Sequence, residues 1–554
     1  MAEKIIADYS EGADVRFDRT VIVTLTLLLV IGLCFRVSNL DAVGFAEDEV
    51  NKVDAIRAYE KGDITANGEH PMLMKALMFA SVKVGRPWHI SDESLFRLPN
   101  AIFGALTLLP IFLLAAAFFD RGIGLMTAAF WTVGVNAITI NRVGKEDTLL
   151  VFFMLFAFYF YLRAKQTDTR NVEVRSRYYL LSGISFGLMI ASKYFPHYLG
   201  LNSLYHHYVR VRKRVPGEPA GKTSLIFYVA LVAAFLIANP SILLPPVWEY
   251  LNVYMGEKLL VHSGYLFADQ LYKNTTSSTP FWGTPIYFYL LFMAIKIPLP
   301  VLFAFVTGFV LSVKKRRHPG HAFVLFMFLF WIVPYSLIGA KWLRYTLSLM
   351  PFVYMFAAIG VIWLLRFVTS KLNRSALDLP AGGESPATRS ARAGAIVAAV
   401  AVILFIVVPA WSAYSAAPHY ALYTNALGAK HVGHFFPHDE FYDDGLREAI
   451  KFVCDTAPPG AIIAHETPAT TRYYLERFSR TDLKSTTISS PDFDPANIFG
   501  PAYIVVQRGR TYFENRDKLL LIRTKYKKVY EVTIHGVPAA EVFVNQTAGY
   551  DVAD

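Results

Sequence analysis

Residues 20–50 read TVIVTLTLLLVIGLCFRVSNLDAVGFAEDEV. Thr20 to Val37 is apolar almost throughout, and a membrane-crossing helix needs about 20 such residues. No small-residue cleavage site follows, so the run is expected to be kept as a membrane helix, not removed as a signal peptide. Soon after it, Glu47, Asp48 and Glu49 stand side by side where such a helix emerges into water. Like charges this close repel, which raises the pKa of one of them. Carboxylates at a membrane edge serve as a general base, bind a cation, or solvate a helix start. Asp48 also suits a helix N-cap.

Composition supports the membrane reading. Of 554 residues, 54% are hydrophobic and 18% charged, against about 25% charged in soluble domains. The net charge of +11 does not point to nucleic acid. Its basic residues cluster in short connectors such as Arg210–Arg214, Lys314–Arg317 and Arg366–Arg392, which is the positive-inside pattern, and no basic stretch is interleaved with stacking aromatics. Cys34 and Cys454 fall in different regions and suggest neither a disulfide framework nor a cysteine zinc site.

Further apolar runs occupy residues 98–119, 123–140, 148–162, 178–195, 196–208, 225–238, 285–313, 323–338, 345–367 and 393–410. The expected fold is mainly α, with about 11 membrane helices over residues 1–411. The long outer loop 39–93 should carry two surface helices, and 239–283 forms a second outer loop. With the N-terminus cytoplasmic, every basic connector falls inside. The acidic loop and the polar tail 412–554 then fall outside, as expected for a plasma membrane or bacterial inner membrane. The tail reads as a small α/β domain, with strands at 461–464, 502–506, 528–532 and 541–544 and helices at 445–454 and 471–478.

On this topology ionisable residues gather at one membrane face: Glu47, Asp48, Glu49, Glu69, His70, Arg97, Arg142, Lys145, Glu146, Asp147, His262, Lys341 and Arg344. A mixed acid–base cluster there suits a substrate with an anionic head and a lipid tail, plus an acceptor that must lose a proton. Arg97, Arg142, Lys341 and Arg344 are candidate phosphate ligands, although each could instead snorkel to lipid headgroups. Glu69, His70 and His262 could form a metal site if the two outer loops meet. Two other signals fail. Gly217–Thr223 is one residue short of a P-loop and follows no strand. His431, His434 and His438 are interleaved with Phe and Pro, as in a packed loop.

The chain resembles the membrane-embedded GT-C-type glycosyltransferases of the protein O-mannosyltransferase and aminoarabinose-transferase superfamily over roughly residues 20–430. The resemblance is carried, in order, by Asp48-Glu49 after the first span, Gly68-Glu-His-Pro71, Arg97-Leu-Pro-Asn100 and Arg142 to Leu149 with Asp147. Lys193, Lys296-Ile-Pro-Leu-Pro300, Arg344 to Pro351 and Pro418 to Gly428 follow. It implies a polyprenyl-phosphate-linked sugar donor, a protein, lipid or glycan acceptor, and inverting transfer on the non-cytoplasmic side. It also implies Asp48 as general base, with Glu49 and Asp147 in support. Arg344 with Lys341, Arg142 and Arg97 would hold the donor phosphate, and Glu69, His70, His262 and Lys296 would line the substrate pocket. No cofactor is required, since Arg and Lys can neutralise a buried phosphate; a divalent metal would fall to Glu69 and His262. His70 stands where the aminoarabinose branch often has Lys, the second outer loop is too short for a β-trefoil insertion, and the tail matches neither branch, so sugar and acceptor stay open. The alternative is a transporter or flippase of lipid-linked substrates, which should show internal repeats and broken helices near the midplane. No repeat is apparent.

Overall fold

The computed structural model describes residues 17–168, 170–209, 223–255, 264–274, 282–377, 386–429 and 431–545. His262 and Gly217–Lys222 lie outside the described residues. Helix Arg19–Val37 begins where Asp18 accepts the Val21 N–H at 2.9 Å. Ile22, Val23, Leu27 and Val30 on this helix are exposed, as expected of a surface that faces lipid. Among the described residues six helices are long and apolar enough to cross a membrane, and seven if the bent pair Arg121–Val133 and Val135–Asn141 counts as one span. Helices Asp147–Gln166, Leu225–Ala238, Phe288–Lys296, Leu299–Lys314, Pro319–Leu337 and Met350–Leu377 fall on the expected apolar runs. Several are shorter than a span or broken, because Pro, Gly and polar residues interrupt the runs. The last apolar helical stretch reaches Ala416, past residue 411.

Close packing depends on small residues where lipid supplies no hydrophobic drive between helices. A Cβ on Gly308 would lie 1.8 Å from the Phe356 carbonyl oxygen, and one on Gly360 would lie 2.1 Å from that of Ala304. Helices Leu299–Lys314 and Met350–Leu377 therefore meet backbone to backbone.

The loop 39–93 folds into helices Glu47–Glu60 and Met72–Gly85. Three carboxylates in the first turn suit the positive end of the helix dipole. The N-cap position belongs to Ala46, however, and Glu49 reaches back to accept its N–H at 3.0 Å.

Strands β1 (Tyr265–Phe267) and β2 (Gln270–Tyr272) form an antiparallel hairpin. The tail carries β3 (Ile462–His465), β4 (Lys484–Thr487), β5 (Ala502–Gln507), β6 (Lys527–Ile534) and β7 (Val537–Val544) in the order β4-β3-β5-β7-β6. The β3 pairings with β4 and β5 are parallel, and β7 pairs antiparallel with β5 and β6. Strand β4 and helix Arg516–Lys525 are additions to the sequence reading. Strand β4 is a polar edge, Lys-Ser-Thr-Thr, with no apolar alternation to mark it. The tail does not hang free. Phe45, Val50, Val53, Ile56, Met74 and Met78 of this loop share one hydrophobic core with Leu446, Ile450, Tyr474, Ile463 and Val505 of the tail. The acidic loop is thus clamped between the membrane helices and the α/β domain.

Candidate active site

Asp48 sits in the first turn of helix Glu47–Glu60, with its side chain 30% exposed. Its Oδ2 accepts from Lys145 Nζ at 2.5 Å, Arg344 Nη1 at 3.1 Å and the Tyr442 hydroxyl at 2.5 Å. No described residue donates to Oδ1. Burial pushes this carboxyl up, but Lys145, Arg344 and Lys52 together hold it well below the usual carboxylate range. The expectation that crowding raises a pKa fits Glu47 instead, where burial is the first cause, Arg510 opposes it, and Asp443 and Asp48 add to the rise. Lys145 is pulled down to about 8 by burial, although Asp48 opposes the shift.

Around this centre the charges alternate. Lys52, buried, lies 3.0 Å from Glu146 Oε1. Lys193 donates to Asp147 Oδ1 at 2.7 Å, while Asp147 Oδ2 is buried with no hydrogen-bond partner among the described residues. Lys193 and Arg344 both lie against the Tyr345 ring, at 5.1 and 5.7 Å, and Arg344 also lies 5.1 Å from the Trp342 ring. Cation–π contact with these rings helps to hold Arg344 and Lys193 beside Tyr345. A cavity of ≈ 130 Å³ adjoins the cluster, lined by Lys145, Arg344 and Tyr442 together with apolar Leu40, Val43 and Phe292.

Several residues read from sequence as substrate ligands are instead engaged by the protein. Glu49 takes two bonds from Arg97, at 2.8 and 2.6 Å, plus the N–H groups of Gly144 at 2.7 Å and Ala46 at 3.0 Å. Arg97 gives its other bonds to the carbonyls of Leu40, Val43 and Gly44, each at 2.7 Å. All its nitrogens are committed, and a guanidinium has only five N–H donors. Arg142 caps the C-terminal end of helix Arg19–Val37 through the carbonyls of Phe35, Arg36, Ser38 and Asn39, a favourable place for a cation. Lys341 is fully buried and donates to the carbonyls of Thr284 and Ile338, both at 2.6 Å. Lys296 pairs with Glu440 and donates to the Ala421 carbonyl at 2.9 Å. These are joints that set the shape of the site. Arg344 alone of the four phosphate candidates stands at the Asp48 cluster, with its side chain 24% exposed.

His70 Nδ1 lies 3.9 Å from Glu146, and burial pulls the imidazole down to about 3, so it is neutral there. Glu69 Oε1 accepts from Asn67 Nδ2 at 2.5 Å, and its Oε2 is buried without a partner among the described residues. Among the described residues no group of three or more His, Cys, Asp and Glu side chains is arranged to hold a metal ion. His431 meets Phe435 at a tilt and His434 meets it edge-on in a loop, and His434 pairs with Asp269 at 3.0 Å.

Tyr442 had no signal in the sequence. It belongs to a turn in which Tyr442 and Asp443 take φ of 38° and 68° and Gly445 takes 84°. Left-handed backbone at two successive non-glycine residues costs on the order of 1–3 kcal/mol each and persists only where surroundings over-determine it. Here Asp443 accepts two bonds from Arg510, at 2.7 and 2.5 Å, and the Glu47 N–H at 2.8 Å. Arg510 also reaches Glu47 Oε2 at 3.0 Å, and Asp444 is paired with His419. The tail therefore grips the acidic loop one residue before Asp48 and delivers a hydroxyl to it.

The chain thus combines a bundle of apolar helices, a loop with a carboxylate at its helix start, cations around that carboxylate and an α/β domain packed on the loop. Residues 69–244 match the family model described as Dolichyl-phosphate-mannose-protein mannosyltransferase. No curated protein sequence matches the chain. ArnT from Cupriavidus metallidurans, solved in the apo state and bound to undecaprenyl phosphate, is similar with a TM-score of 0.52 and 14% identity, covering 96% of this chain and 99% of that one. The archaeal oligosaccharyltransferase AglB from Archaeoglobus fulgidus, in complex with an inhibitory peptide and a dolichol-phosphate, is similar with a TM-score of 0.50 and 11% identity over 96% of this chain and 75% of that one. The chain is an integral membrane protein that shares the fold of ArnT and AglB.

Proposed function

We propose that the chain is an inverting glycosyltransferase that moves a sugar from a polyprenyl-phosphate donor to a protein, lipid or glycan acceptor, with Asp48 as general base. The observation that carries this reading is the one-sided holding of Asp48: Oδ2 is fixed by Lys145, Arg344 and Tyr442, and no described residue donates to Oδ1. The acceptor O–H or N–H attacks the anomeric carbon, its proton passes to Oδ1, and the bond from that carbon to the phosphate oxygen breaks. The electron pair leaves with the lipid phosphate, whose charge Arg344, Lys145 and Lys193 stabilise. No step is routed through a metal. Asp147 orients Lys193.

A carboxylate held far below its usual range is a weak base, and the geometry supplies the remedy. The cations that depress Asp48 are the ones that face an incoming donor phosphate. As Lys145 and Arg344 turn to the phosphate, Asp48 loses counter-charge and gains basicity. Binding of the donor thus arms the base. The neighbours' lipid phosphates support a lipid-linked donor. The outer orientation of the site is supported by the basic connectors at 163–177 and 314–317, which lie at the other ends of helices Asp147–Gln166 and Leu299–Lys314.

The test is direct. The full chain in nanodiscs should bind undecaprenyl phosphate, and Arg344→Gln should weaken that binding at least 10-fold. Failure of both undecaprenyl and dolichyl phosphates to bind would overturn the reading.

A further inference from the structure

A second pocket, of ≈ 450 Å³, lies at the opposite end of the bundle. From Arg97 beside the acidic loop to Asp120 in this pocket the chain runs as nearly continuous helix, which at 1.5 Å per residue is about 35 Å. The rim carries Lys315, Arg317 and Arg366, and the wall is formed by Leu311, Ile359, Ile362 and Trp363. Asp120 is the single carboxylate among the described residues that line it, and it is already engaged: Oδ1 caps the Ile123 N–H at 2.9 Å and Oδ2 lies 3.3 Å from Arg366. Lys315 and Arg317 form no ion pair with any described residue. The pocket therefore presents excess positive charge above an apolar floor.

The adjoining surface is that of a bilayer-facing helix. On helix Leu299–Lys314, Leu299, Phe303, Val306, Val310 and Val313 are exposed, spaced three and four residues apart and so on one stripe. The stripe ends beside Lys315. A ligand seated here would have a phosphate at the rim and apolar chains along the stripe. Basic pockets between helices at a membrane face bind lipid headgroups in this way, and each Lys or Arg near an anionic surface adds roughly fivefold in affinity.

We propose that this pocket binds the phosphate headgroup of an anionic membrane phospholipid, at a site separate from the Asp48 cluster. The full chain is purified, stripped of lipid and titrated with phosphatidylglycerol, with phosphatidylcholine and inorganic phosphate as comparisons, and lipid bound per chain is read by native mass spectrometry. Two double variants remove equal charge from the same connector. Lys315→Gln with Arg317→Gln empties the pocket rim, while Lys314→Gln with Arg316→Gln removes charges that do not line it. The rim variant should weaken phosphatidylglycerol binding at least 10-fold, the off-pocket variant less than threefold, and phosphatidylcholine should bind poorly throughout. Equal loss in both variants would reduce the effect to diffuse surface charge and overturn the proposal. Inorganic phosphate displacing no lipid supports a site built for the whole amphiphile; millimolar phosphate occupying the site and excluding lipid would overturn the lipid assignment. Lys315 and Arg317 are exposed, so their replacement leaves the fold intact.

Discussion

Replacing Asp48 by Asn removes one charge while keeping the side chain's size and an oxygen for Tyr442. Two consequences follow from the geometry, in opposite directions. Loss of the proton acceptor should lower kcat by about 10²–10⁴-fold, the usual contribution of a general base. Donor affinity should rise, because Lys145 at 2.5 Å and Arg344 at 3.1 Å no longer have an internal carboxylate competing with the donor phosphate. A charge-assisted hydrogen bond contributes about 1.5–3 kcal/mol, and the 30% exposure of Asp48 screens it, so a gain on the order of 1 kcal/mol, roughly fivefold in Kd, is expected. The assay pairs turnover of a polyprenyl-phosphate sugar in nanodiscs with a binding isotherm for the lipid phosphate alone. Activity within threefold of wild type would refute the base assignment. A Kd weakened together with kcat would refute the competition between carboxylate and phosphate, since it would mean that Asp48 helps build the donor site.

Tyr442→Phe removes a hydrogen bond to the charged form of Asp48, so the carboxyl should titrate higher. The acid limb of kcat/KM should move to higher pH, and an unmoved limb would limit Tyr442 to packing. Arg97→Met strands buried Glu49 and should cost about 3–5 kcal/mol of stability, seen as a large fall in Tm, whereas Arg344→Gln should leave Tm nearly unchanged and weaken donor binding. The reverse pattern would exchange the roles given to these two arginines. In the folded chain Glu49 and Asp443 both titrate below their ordinary values, because Arg97 and Arg510 outweigh the upward push of burial. Their stabilisation is present above the unfolded values, about 4.3 and 3.9, and is lost as pH falls through the lower folded values. Hydrogen-exchange protection factors at residues 44–50 should therefore fall below about pH 4, and protection unchanged at pH 3 would show that these pairs do not hold the loop.

The apolar runs were legible because a bilayer imposes a length and a composition that one sequence displays openly. The regular parts of the tail were legible where strand alternation was strong, as in residues 502–506, and illegible at the polar edge strand β4. At the site, the sequence marked residue types and one membrane face but could not assign partners. Arg97, Arg142 and Arg344 look alike as cations beside apolar runs. Arg97 was taken by Glu49 and three carbonyls, and Arg142 by a helix end. Arg344 was left facing Asp48. Lys145 and Glu146 stand out in the sequence only as part of the charged face, and Tyr442 carries no signal there, because it meets Asp48 across 394 residues of chain.

Taken alone, the sequence determined a membrane bundle, a carboxylate-bearing loop just beyond the first helix, and an α/β tail. Each of these depends on local composition and periodicity, which are properties of neighbours along the chain. Only the tertiary structure decided which carboxylate stays open and which is sealed. That choice turns on how many donors converge on each oxygen once the tail and the membrane helices close around the loop: four on Glu49, and three on a single oxygen of Asp48. Hydrogen-bond saturation is set by distances in space, and residues far apart in sequence supply it.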